Sequence, residues 1–81
     1  MQRTKIDIKK DLLLILKSLN KSYVKIPFKN NFFFEGFDSL DYLNLIFKIQ
    51  KKYKIKINNK ELNQLKKLDE IVLLILKKEK N

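Results

Sequence analysis

Glu35-Gly36-Phe37-Asp38-Ser39-Leu40-Asp41 holds the only glycine in the chain, an Asp-Ser pair, and the start of a run with helical apolar spacing. Gly36 lets the backbone turn with a positive φ at little steric cost. Asp38 is a good N-cap, and Asp41 three residues later makes an acidic variant of the capping box. Ser39 therefore falls at the first turn of a helix, at its positive end. Unpaired N–H groups and the helix dipole make that end hospitable to an anion, so a phosphate ester on Ser39 is well accommodated there. Taken alone, the Asp-Ser pair also reads as an ordinary helix cap.

Working outward, the spacing predicts a helix from Ser39 to about Tyr53. Leu45, Ile49 and Tyr53, joined by Leu43 and Ile46, form its core side. Asp41, Asn44, Lys48, Lys51 and Lys52 form its solvent side. Leu40 and Phe47 lie near the border, and Phe37, just before the helix, is expected to join them at the surface. Upstream, Ile8, Leu12, Ile15, Leu16 and Leu19 recur at helical spacing and predict a helix from about Ile6 to Leu19, stopped around Asn20. Leu13 and Leu14 widen its apolar stripe beyond what one neighbour can cover. Asp7 and Asp11 sit in its first turns, where acidic groups suit the dipole.

Residues 21–35 read as a loop, with Pro27 and Asn30-Asn31 as breakers. Phe28, Phe32, Phe33 and Phe34 are expected to pack it onto the bundle, with exposure of part of Phe32 to Phe34 for a partner as the alternative. Downstream, Asn58 and Glu61 spell a second capping box opening a short helix to about Leu65, which directs Leu62 and Leu65 inward. A last helix from about Lys67 to Lys78 buries Leu68, Ile71, Val72 and Ile75. Its N-cap is weak, because a lysine stands where a hydroxyl would serve better. The expected architecture is all-α: a small four-helix bundle of three longer helices and one short, in a single domain over residues 1–81.

Composition narrows the chemistry. With 81 residues, 44% of them hydrophobic, the chain forms one small folded domain despite 35% charged residues. Cysteine and histidine are both absent. That excludes disulfides, the usual zinc ligand sets, and serine or cysteine hydrolysis with a histidine base. Nothing near Ser39 is equipped to activate its hydroxyl as a nucleophile, so no catalytic residue is assigned and no enzyme is expected. The apolar runs Leu12 to Leu16 and Ile71 to Leu76 are too short to span a bilayer, and the N-terminus lacks a signal peptide's pattern. A soluble cytoplasmic protein is expected.

The formal charge of +10 points towards polyanionic partners. Yet Arg3 is the single arginine among 19 basic residues. Arginine dominates bidentate recognition of phosphates and bases, and the lysines are spread along the chain. A compositional bias towards Lys, Asn and Ile accounts for the charge as well, and no nucleic acid partner is expected.

Gly36-Phe37-Asp38-Ser39-Leu40-Asp41 resembles the Gly-x-Asp-Ser-Leu-Asp attachment motif of the acyl carrier protein family. Leu40, Leu43, Leu45, Ile46, Ile49 and Tyr53 follow that family's second helix. Ile55-Lys56-Ile57-Asn58 looks like its exit loop, and Leu68, Ile71, Val72 and Ile75 fall where its last helix should. From Gly36 to Ile75 the likeness needs no gap; before Gly36 it is loose, with Phe34-Glu35 where the family often has Asp-Leu.

The resemblance implies 4′-phosphopantetheine, transferred from coenzyme A onto Ser39 by a magnesium-dependent transferase, with Asp38 helping to position the metal during the transfer. It implies acyl cargo held as a thioester on the arm, in fatty-acid or lipid biosynthesis. The alternatives are a specialised polyketide, nonribosomal peptide or aminoacyl pathway, a carrier fold that has lost its modification and serves as an interaction subunit, or a basic helical module binding anionic partners. Partners would be the transferase and acyl-loading and acyl-processing enzymes. Where typical members have an acidic second helix, this chain offers Asn44, Lys48, Lys51 and Lys52. Docking is then expected to rely on Glu35, Asp38 and Asp41 together with Phe37, Leu40 and Phe47, or on Lys48 and Lys52 meeting acidic enzymes.

Overall fold

A computed structural model describes residues 4–79. Four α-helices follow one another: α1 (Lys5–Leu19), α2 (Ser39–Tyr53), α3 (Asn59–Gln64) and α4 (Leu68–Glu79). Among the described residues there is no strand, only one isolated antiparallel bridge between Asn31 and Lys67. The expected bundle of three longer helices and one short one is what forms.

Each helix start has a local cause. Thr4 caps α1 in a reciprocal box with Asp7, and Asn58 caps α3 in the same way with Glu61. Helix α4 has no hydroxyl cap; the Glu70 carboxylate instead reaches back to accept the N–H groups of Lys66 (2.8 Å) and Lys67 (2.9 Å). That satisfies the two backbone donors just ahead of the helix and fixes its entry, as the carboxylate half of a capping box does. At its other end, Lys78 on α4 forms a 3.0 Å ion pair with Glu61 on α3.

The core gathers one face of each long helix. Ile8, Leu12 and Leu16 of α1, Tyr42, Leu45, Ile46, Ile49 and Tyr53 of α2, and Leu68, Ile71, Val72 and Ile75 of α4 are buried. No charged or polar residue is buried among the described residues. One expectation on α2 is corrected. Leu43 is not on the core side but 51% exposed, and Tyr42 takes the buried position beside it. The buried set 42, 45, 46, 49, 53 is the helical spacing centred on Ile49, and Leu43 falls outside that arc.

The segment between α1 and α2 is not a bare loop. It contains short 3-10 turns at Lys21–Lys25 and Phe32–Glu35. Phe32 is fully buried and Phe28 and Phe33 are half-buried, so these three pack as expected. Phe34 does not; it is 86% exposed. Backbone bonds fasten the segment to the entry of α4, with Phe32 N–H to Lys66 O at 2.9 Å and Asp69 N–H to Phe28 O at 3.2 Å.

Candidate functional site

Gly36 has φ 85°, the left-handed conformation that favours glycine. There the Phe37 N–H doubles back to the Phe32 carbonyl at 3.1 Å, and the chain swings into α2. Asp38 is the N-cap: its side chain accepts the Leu40 N–H at 3.3 Å and its carbonyl takes the Tyr42 N–H at 2.9 Å. Ser39 follows as the first residue of α2 and is exposed. Its hydroxyl thus stands at the positive end of a 15-residue helix with open access to solvent.

Tyr23 holds this corner from behind. Its ring stacks on Phe37 with centroids 4.4 Å apart, and its hydroxyl accepts the Asp38 N–H at 3.4 Å while donating to the Asp41 carboxylate. That hydrogen bond to Asp41 holds the Tyr23 phenol above its ordinary pKa, with burial adding to the effect. Asp41 therefore serves Tyr23 rather than closing the expected acidic capping box. Sequence reasoning did not single out Tyr23, because its partners lie 15 and 18 residues away and no local spacing signals the contact.

Phe37 is also corrected. It is only 4% exposed, pinned between Tyr23 and Phe32, and is not an exposed docking residue. Leu40 and Phe47 are exposed as expected, at 69% and 64%. Leu43 joins them, since positions 40, 43 and 47 share one helical stripe. Asn44, Lys48 and Lys52 are exposed on the same helix. Glu35 is exposed and accepts a 3.1 Å hydrogen bond from the Asn30 side chain. Asp41 is half-buried. The structure thus brings Glu35, Asp38, Ser39, Leu40 and Asp41 to one end of α2, with Phe47, Lys48 and Lys52 farther along it.

The chemistry of this corner fits a phosphopantetheine arm. Asp38 and Tyr23 occupy some of the donors, while no partner among the described residues takes the N–H groups of Ser39 and Asp41. Those free donors and the helix dipole suit the negative phosphodiester. The exposed Asp38 carboxylate supplies an oxygen ligand of the kind a hard divalent ion takes.

The family model described as a phosphopantetheine attachment site matches residues 12–75. The chain belongs to that family: it is a phosphopantetheine carrier protein with the small helical bundle of acyl carrier proteins. Its prosthetic group is covalent 4′-phosphopantetheine, and its partners include a phosphopantetheinyl transferase and the enzymes that use the loaded arm. Carrier domains of this family are not themselves catalytic. None of the curated proteins or solved structures gives a significant match. No helix among the described residues is long and apolar enough to cross a membrane.

Proposed function

We propose that Ser39 is the attachment site and that residues 1–81 act as a single, non-catalytic carrier domain. The observation that carries this reading is the exposed Ser39 hydroxyl at the start of α2, between a capping aspartate and a half-buried one. Transfer forms a bond from Ser39 Oγ to phosphorus and breaks the phosphoanhydride of coenzyme A, so that adenosine 3′,5′-bisphosphate leaves and the hydroxyl proton passes to a base of the transferase or to solvent. Asp38 helps to hold the magnesium ion in the transferase complex. The loaded arm then carries acyl groups as thioesters, in cytoplasmic fatty-acid or lipid biosynthesis; cargo for a specialised pathway is the second reading.

Partner enzymes read the exposed stripe Leu40, Leu43 and Phe47, flanked by Glu35 and Asp41 at one end and by Asn44, Lys48 and Lys52 along the helix. Lysines there favour enzymes with acidic docking surfaces. The test is intact mass after incubation with coenzyme A, magnesium and a broad-specificity transferase. One phosphopantetheine-sized gain in the wild type and none in Ser39→Ala is expected. A gain retained by Ser39→Ala places the arm elsewhere. The mass of the native thioester then separates a fatty chain from an aminoacyl or polyketide unit.

A further inference from the structure

Helix α1 carries a second stripe that the bundle does not use. Ile6, Lys10, Leu13 and Lys17 fall at i, i+4, i+7 and i+11, on the side away from the buried Ile8, Leu12 and Leu16. Ile6 is 65% exposed, and Leu14, beside the stripe, is 68% exposed. Val24, in the turn after α1, closes a shallow apolar depression with Lys10, Leu13, Leu14 and Lys17. Across Leu14 the surface continues into a second open groove rimmed by Lys48, Lys51 and Lys52 of α2. None of these lysines has an ion-pair partner among the described residues. The one acid in the groove, Asp11, is half-buried and accepts a 2.6 Å hydrogen bond from Tyr53.

We propose that this face docks the protein on an anionic lipid surface. Unpaired lysines around projecting aliphatic side chains suit a phospholipid bilayer: the ammonium groups meet acidic headgroups and Ile6, Leu13, Leu14 and Val24 enter the acyl boundary. Nucleic acid offers no apolar phase for those side chains. The described residues of this face carry lysines and no arginine, and such a set suits a smeared negative plane better than discrete, bidentate carboxylates. The aliphatic groups project from a convex helix instead of lining a deep cleft, so they present themselves to a plane. A bias towards lysine in composition does not place Ile6 and Leu14 outward. Ser39 lies about 18 Å along α2 from Lys51, at 1.5 Å per residue, so docking through this face leaves the arm's attachment point free. The inference does not rest on modification of Ser39.

The test is flotation of the full chain with vesicles of phosphatidylcholine alone or with a third phosphatidylglycerol. Binding only to the anionic vesicles, falling steeply with salt, is expected for wild type and Ser39→Ala alike. The uncharged change Leu14→Ser, in a side chain that supports no core packing, should weaken binding at least five-fold. Lys10→Glu, Lys17→Glu and Lys51→Glu together should abolish it, whereas Lys54→Glu, Lys56→Glu and Lys60→Glu together should retain most of it. Circular dichroism verifies that each variant is folded. Equal losses from the two triple variants, or full binding by Leu14→Ser, would show a diffuse charge effect and overturn the proposal. Binding to neither vesicle overturns it too, and would leave an acidic protein as the occupant to look for.

Discussion

The phenol of Tyr23 is hydrogen-bonded to the carboxylate of Asp41, joining the segment after α1 to the first turn of α2, 18 residues further on. The same oxygen receives the Asp38 N–H, so one hydroxyl braces the residues on both sides of Ser39. Tyr23→Phe keeps the stacking on Phe37 but loses both bonds. A hydrogen bond to a charged group contributes about 1.5–3 kcal/mol, and a loss of that order is expected in urea unfolding. Phosphopantetheine transfer to Ser39 should also slow under conditions where the variant is folded, because the first turn of α2 is less firmly held.

Lys48 and Lys52 lie one turn apart on the exposed side of α2. Changing both to Glu should leave the unfolding midpoint nearly unchanged and slow acyl loading by the native partner, mainly through KM, because charged rims act on encounter. A loading rate equal to wild type would make them merely solvated lysines.

Among the described residues two have left-handed backbones, Gly36 with φ 85° and Lys54 with φ 55°. Each ends a helical turn where the following N–H reaches back five residues, Phe37 to Phe32 and Ile55 to Gln50. A Cβ at Gly36 would meet nothing within 4 Å, so Gly36→Ala costs only the backbone term, about 1–2 kcal/mol. Lys54→Gly should act in the opposite sense and stabilise by about 0.5–1 kcal/mol. Urea midpoints moving in opposite directions check the pair.

Glu61 ionises below its ordinary range because its carboxylate accepts the Asn58 N–H and pairs with Lys78. The stability it contributes is present above its unfolded pKa of 4.5 and is lost as pH falls through the lower folded value. Glu61→Gln should therefore be less stable than wild type at pH 7, and the difference should shrink in thermal melts below pH 4.5.

Tyr42 is the alkaline counterpart. Burial, aided by the negative Glu70, pushes its phenol up to about 12 from 10.0. The unfolded chain loses that proton first, so this contribution is present below pH 10 and is lost as pH rises towards 12. A shift of about two pKa units corresponds to about 2–3 kcal/mol. Tyr42→Phe should show a correspondingly weaker fall in stability across that range, and ultraviolet titration should lose a phenol that ionises near pH 12.

Most of the fold was legible because it is written in local spacing. The span of α2, the Asn58–Glu61 box and the buried face of α4 all follow from residues three or four apart. The start of the site was legible for the same reason, since Gly36, Asp38 and Ser39 are neighbours in the chain. What could not be read was set by distant contacts. Phe37 is apolar at a helix border, and the Tyr23 ring, 14 residues earlier, together with the Phe32 ring decides that it is buried. Tyr42 lies two turns before Ile49 on the buried stripe, a position that an amphipathic phenol leaves open, and the tilted Phe32 ring and the edge-on Phe33 ring that pack against Tyr42 hold it inward. Phe34 belongs to a run of three phenylalanines that no helical period sorts in advance.

The three tyrosines share one further property. Tyr23 ties the segment after α1 to α2, Tyr42 donates to the Leu62 carbonyl of α3 at 2.7 Å, and Tyr53 donates to Asp11 of α1. The chain contains no tryptophan. Its intrinsic fluorescence therefore arises from phenols that each sit across a different joint of α2. The emission of this protein is a built-in optical gauge of whether its central helix is seated, readable without any attached label.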